Sequence, residues 1–155
     1  LVDEVLPGLR ELFKAKEAKS QVSMYLGLKG LKTVFENILE EAKGDENLVI
    51  DSQGQFREKM PFYAPHYIKG LEKNKIKVRR LVRRGKEKKI HPGKTTTIRF
   101  FPGEISETPI TTNIYSDKVA LILWTDVPEA VVIKNKAAHA AYKEYFEILW
   151  KSSKL

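Results

Sequence analysis

The sequence predicts an α/β (α+β) domain, a mixed β-sheet flanked by helices. Three observations predict it. Apolar residues recur at helical spacing in well-separated stretches, β-branched runs lie between them, and a cluster of strands precedes a final amphipathic helix. At 155 residues the chain has the size of one ordinary domain.

Taken in order, residues Leu1 to Ser20 read as a helix with a short stripe of Val5, Leu9 and Leu12. The stripe fades into a polar end, which suits a linker or a contact between two protomers more than a core element. Val22 to Tyr25 is a short strand, with Gly27 and Gly30 bracketing the turn after it. Leu28, Leu31, Phe35, Ile38 and Ala42 then form the clearest helical stripe, ending at Gly44. Leu48 to Ile50 is a short apolar strand, and Asp51 to Gly54 signals a turn. Pro61 and Pro65 interrupt the next helical stretch, so a helix is expected from about Pro65, with Tyr67, Ile68 and Leu71 inward.

Ile76 to Val82 and Thr95 to Phe101 read as strands around a loop from Arg83 to Lys94. Ile110 to Tyr115 and Val119 to Trp124 form a hairpin turning at Ser116-Asp117-Lys118. Ala130 to Ile133 is a further strand. Asn135 to Ser152 closes the chain as a helix with Ala138, Tyr142, Tyr145 and Leu149 on one face and Ala141, Phe146 and Trp150 alongside.

Composition excludes several classes of function. There is no cysteine, so disulfide scaffolds, thiolate metal sites and cysteine nucleophiles are out. No apolar run is long enough for a membrane helix, no signal peptide is visible, and a cytoplasmic location is expected. The chain begins at Leu1, so an upstream segment is expected.

Charge is local. Lys69 to Arg99 holds 13 basic and two acidic residues, net +11, against +8 for the whole chain, so the remainder is net −3. Arg79, Arg80, Arg83 and Arg84 are its candidate phosphate contacts. A solvated strand edge is the competing reading.

Other motifs fail on inspection. Gly93-Lys94-Thr95 ends like a P-loop, but Lys88 stands where the first glycine belongs and a strand follows. His66, His91 and His139 share no metal-ligand spacing, so no metal or cofactor is implied. No nucleophile elbow occurs, and no carboxylate pair can be nominated for glycosidic chemistry. Trp124, at a strand end, is placed to line a pocket or simply to pack.

Three stretches together resemble the C-terminal domain of TrmB-like transcriptional regulators. The first is Val22 to Leu39, with Tyr25, Gly27 and Gly30 in a Y-x-G-x-x-G turn before the helix. The second is Tyr63 to Leu81, a helix followed by a basic strand. The third runs from Thr112 to Trp124 and on through Val131 to Lys136 and Tyr145 to Lys151. One departure is Leu26, where the family often carries glutamate.

The resemblance implies a phospholipase D-like fold over residues 21–155, preceded by a linker and dimerisation helix over 1–20. It also implies a DNA-binding helix-turn-helix upstream, a homodimer and an unidentified small-molecule effector. Enzymes of that fold use H-x-K-x-x-x-x-D. With Asp117 in the last position, Ile110 and Thr112 replace histidine and lysine, so a kept fold without phosphodiesterase activity is expected. Tyr25, Thr112, Asn113, Asp117 and Trp124 are the expected lining of an effector pocket. A nucleic-acid-binding module using residues 69–99 and a degenerate phosphodiesterase are the alternative readings.

Overall fold

The computed structural model describes residues 6–10, 20–86, 92–101 and 108–153. Its elements are β1 (Gln21–Leu26), α1 (Gly27–Glu41), β2 (Glu46–Ser52), α2 (Gln55–Lys59), α3 (Ala64–Lys73), β3 (Lys77–Val82), β4 (Thr96–Phe100), β5 (Ile110–Tyr115), β6 (Lys118–Leu123), β7 (Glu129–Lys134) and α4 (Lys136–Ser152). Among the described residues the strands form one seven-stranded sheet in the order β1-β7-β6-β5-β2-β3-β4. Strands β2, β3 and β4 run parallel; every other neighbouring pair is antiparallel. The expected mixed sheet flanked by helices is present.

Strand alternation gives the sheet two different faces. Helices α1, α2 and α3 cover one. Leu31, Val34, Phe35, Ile38 and Leu39 of α1 are buried there, against Val49, Val78, Tyr115, Ala120 and Ile122 of the strands. Helix α4 covers part of the other face, where Phe146 and Trp150 pack on Leu48, Leu81, Phe101 and Ile114.

Two side chains depart from the expected stripes. Leu28 is 46% exposed and Tyr145 57% exposed. Both sit at the margin of their helix's apolar arc, and α4 buries Phe146 and Trp150, with Tyr142 and Leu149 half-buried beside them. The hairpin turn is also tighter than expected. Tyr115 pairs with Lys118, leaving Ser116 and Asp117 as the loop, with Ser116 at φ 52°.

Residues 6–10 are helical, and Leu6 and Leu9 are exposed on them. Val5 and Leu12, expected on the same stripe, lie outside the described residues.

Gly30 marks a close approach between α1 and the end of β1. A Cβ built there falls 2.8 Å from the Tyr25 carbonyl carbon. Alanine normally stabilises a helix interior relative to glycine by about 1 kcal/mol. Here the contact reverses the sign, and Gly30→Ala is expected to cost about 1–2 kcal/mol in urea denaturation. A stabilised variant would show that the two segments move apart freely.

Candidate functional site

The parallel strands β2 and β3 end beside the start of β5, and a pocket of about 60 Å³ opens there on the α1 side of the sheet. Its floor is built by alternation: Asn47 and Val49 from β2, Val78 and Arg80 from β3, Thr111 and Asn113 from β5, and Ile122 from β6. Trp124 follows β6 into the wall. Above them lie Phe35, Tyr67 and Phe56.

Local backbone geometry positions this roof. The β2–β3 register slips between Val49 and Ser52, and Asp51 takes φ 66° inside the irregularity. Gly54 then turns the chain at φ 88°, a conformation open to glycine, and α2 begins with Phe56 over the pocket. The Arg83 guanidinium braces the slip, with Nε 2.8 Å and Nη2 2.7 Å from Asp51 Oδ1. Burial raises the Asp51 carboxyl pKa, against the pull of Arg83.

The polar groups form a short network. Asn47 is 1% exposed. Its Nδ2 donates to Asn113 Oδ1 at 3.1 Å and, more loosely, to the Tyr67 hydroxyl at 3.5 Å. Trp124 Nε1 donates to Thr111 Oγ1 at 3.0 Å, fixing the indole as a wall. Phe35 and Phe56 lie 5.0 and 5.3 Å from the Tyr67 ring, completing an aromatic surface. Burial pushes the Tyr67 hydroxyl well above its ordinary pKa, so it stays a neutral phenol.

Two buried polar atoms at the pocket, Asn47 Oδ1 and Arg80 Nε, have no hydrogen-bond partner among the described residues. Burial lowers the Arg80 pKa, as expected of a cation removed from water.

The structure brings together only part of the expected effector lining. Asn113 and Trp124 both face the pocket. Thr112 does not, because it alternates to the opposite face beside Ile114, pairing with Ile50 and Leu121. Asp117 lies beyond the far end of β5, where its carbonyl accepts from the Asn135 amide at 3.0 Å. Tyr25 lines a separate polar cleft of about 100 Å³ with Asn37, Tyr115 and Lys118.

The four arginines do not form one stripe either. Arg79 is held by Glu46 and Glu147, and Arg83 by Asp51. Arg84, at the surface, donates from Nε to the Phe101 carbonyl at 3.3 Å. Arg80 alone of the four enters the pocket.

Asn47, Tyr67 and Phe56 were not nominated from the sequence as site residues. The signal available for Asn47 was a polar residue on an inward position of an apolar strand.

Histidines stand elsewhere. His66 is largely exposed, bonded to Glu36 at 3.0 Å, and His139 lines a small pocket with Asp45 and Lys143. His91 lies outside the described residues. Among the described residues no group of three or more acidic or histidine side chains could hold a metal ion, and no helix is long and apolar enough to cross a membrane.

The fold is phospholipase D-like, a mixed sheet with its pocket at the ends of the parallel strands. Solved structures share this fold. NucT from Helicobacter pylori matches with TM-score 0.63 and 12% identity, over 88% of this chain and 99% of that one. The phospholipase D family member Nuc from Salmonella typhimurium matches with TM-score 0.59 and 13% identity, over 88% and 97%. TrmBL2, an archaeal chromatin protein with a novel mode of DNA binding, matches with TM-score 0.63 and 18% identity, over 98% of this chain and 66% of that one. No family model and no curated protein sequence matches the chain.

Proposed function

We propose that this chain is the effector-sensing and dimerising part of a TrmB-like DNA-binding transcriptional regulator, cytoplasmic and without phosphodiesterase activity. The observation that carries the reading is the lining of the pocket. Its described residues include two arginines, two asparagines and an aromatic wall, but no histidine, lysine or carboxylate. Such a lining holds a ligand and offers no imidazole to attack phosphorus. The likeness to TrmBL2, a DNA-binding chromatin protein, along 98% of this chain supports the DNA-binding side of the reading. DNA is reached through a helix-turn-helix domain upstream of the segment described, and the effector acts by binding one arrangement of the dimer better than another.

Dimerisation has a surface available to it. Val22, Met24 and Leu26 on edge strand β1 are 67, 62 and 65% exposed. They alternate to the face that α4 only partly covers, paired across the strand with Ile133, Val131 and Glu129. An exposed apolar patch of this kind marks an interface. Met24→Glu is expected to convert a dimer to monomer in sedimentation velocity while leaving the circular dichroism spectrum unchanged. A monomeric wild type would remove this part of the reading.

The silent-enzyme part is tested with bis(4-nitrophenyl) phosphate. No turnover above buffer is expected, and turnover that survives repurification would overturn it.

The exposure of Lys69, Lys73, Lys75, Lys77 and Lys94 favours a supporting contact to DNA phosphates. Steep salt dependence of duplex binding would report it; salt-flat binding would reject it.

A further inference from the structure

We propose that the pocket under Phe56 receives a small organic oxyanion, a carboxylate or phosphate monoester whose charged head pairs with Arg80 and whose body lies on the aromatic wall. The proposal rests on the effector-sensing reading and gives that effector a chemistry.

The argument begins with the contrast among neighbours on one strand. Arg79 and Arg83 are each neutralised by carboxylates. Arg80, between them, lies opposite Val49 in register and points to the other face from Arg79. Its Nε is shielded from solvent and unpartnered, and no ion pair reaches it among the described residues. A guanidinium stays protonated even when burial depresses its pKa, so the pocket holds a fixed positive charge in a poorly solvated place. Arg57, exposed at the rim, adds a second. Water filling the pocket would satisfy hydrogen bonds but not this charge.

The second orphan atom narrows the ligand. Asn47 Oδ1 is buried and needs a donor. A ligand that fits both orphans carries an oxyanion and, close to it, an O–H or N–H. A hydroxy acid or a phosphate monoester in its monoanionic form meets that requirement. The indole of Trp124 and the ring of Phe56 offer flat apolar surface for the remainder.

The test is a thermal-shift titration at constant ionic strength with four probes: inorganic phosphate, phenyl phosphate, sodium benzoate and neutral benzyl alcohol. At 10 mM, at least one oxyanion is expected to raise the melting temperature by more than about 3 °C, with benzyl alcohol flat. Response to the two phosphates alone assigns a phosphate head; response to benzoate as well assigns oxyanions generally.

Arg80→Met should abolish the response, and Arg80→Lys, which keeps the charge but not the planar fork, should retain less than half. Arg84→Met, outside the pocket, should respond like the wild type. If Arg80→Met fails to fold, Arg80→Lys and Arg80→Gln carry the comparison. A wild type flat to all three oxyanions overturns the proposal. So does equal stabilisation of wild type and Arg80 variants, which would place the anion on the basic surface. Phosphodiester turnover and sedimentation are read separately, so a failure here leaves those results standing, and the reverse.

Discussion

Replacing Phe146 by alanine is expected to lower stability by about 4 kcal/mol, as for other fully buried aromatic residues truncated in a core. Phe146 is fully buried, and its ring stacks on Trp150 at 5.5 Å between centroids with 22° between planes. The cluster that holds α4 to the sheet is small. It consists of Leu48, Leu81, Phe101, Ile114, Phe146 and Trp150, with Ile50, Tyr142 and Leu149 at its edge. Losing its central ring leaves few atoms able to close the cavity. For a domain of this size the melting temperature should fall by about 8–16 °C. Urea denaturation followed by tryptophan fluorescence checks the value. Tyr145→Ala, one residue earlier and 57% exposed, serves as the control and should stay within about 0.5 kcal/mol. A small loss at Phe146 would mean that α4 is held chiefly by its polar contacts.

The helix stripes were legible because a 3.6-residue period is redundant over several turns. Leu31 through Ala42 identified the buried side of α1, and the misplacement of Leu28 at its margin did not disturb the rest. Strand faces are less forgiving, since a shift of one residue exchanges them completely. Anchoring a motif on Asp117 put the neighbours Thr112 and Asn113 together in the expected lining, although alternation lets only one of them face the pocket. Hydrogen-bonded pairing turns Asn113 into the pocket, as expected, and with it Thr111 in place of Thr112. Thr111 and Thr112 are adjacent and chemically the same, yet they point to opposite faces.

Roles that depend on a distant partner were not legible. Asn47 meets Asn113 across 66 positions, and Glu147 meets Arg79 across 68. No local pattern announces either pairing. The basic segment shows the consequence. From composition it is one stripe of positive charge, but strand alternation deals its arginines to two faces. Arg79 and Arg99 turn toward the C-terminal helix, where their guanidiniums lie 5.5 and 4.6 Å from the Trp150 ring. Arg99 also donates to the Trp150 carbonyl at 2.9 Å. These two cations fasten a helix and are withdrawn from any partner. Arg80 is turned the other way into the pocket. The local net charge therefore overstates what a nucleic acid would meet, and the exposed lysines carry most of that surface.

Replacing Arg79 by methionine is expected to cost about 2 kcal/mol at neutral pH, a melting temperature about 4–8 °C lower. Methionine preserves apolar packing over Phe146, whose ring lies 5.1 Å from the guanidinium carbon. It removes the cation shared by Glu46, 3.1 Å from Nε, and Glu147, 3.1 Å from Nη1. Two carboxylates then face each other across β2 and α4. The side chains of Arg79, Glu46 and Glu147 are 23, 30 and 34% exposed, so the loss falls short of that for a fully buried pair.

The pH dependence has a defined sign. The hydrogen bond from Arg79 holds the Glu147 carboxyl below its ordinary pKa. A carboxyl depressed in the folded state contributes stability above its unfolded pKa of about 4.3, and that contribution is lost as pH falls through the lower folded value. The gap between wild type and Arg79→Met in urea denaturation should therefore be widest above pH 5 and narrow toward pH 3. In Arg79→Met combined with Glu147→Gln, part of the neutral-pH loss should return, because the repulsion between the carboxylates is gone. A gap that stays constant from pH 7 to pH 3 would assign the loss to packing over Phe146 and Trp150 rather than to the ion pairs.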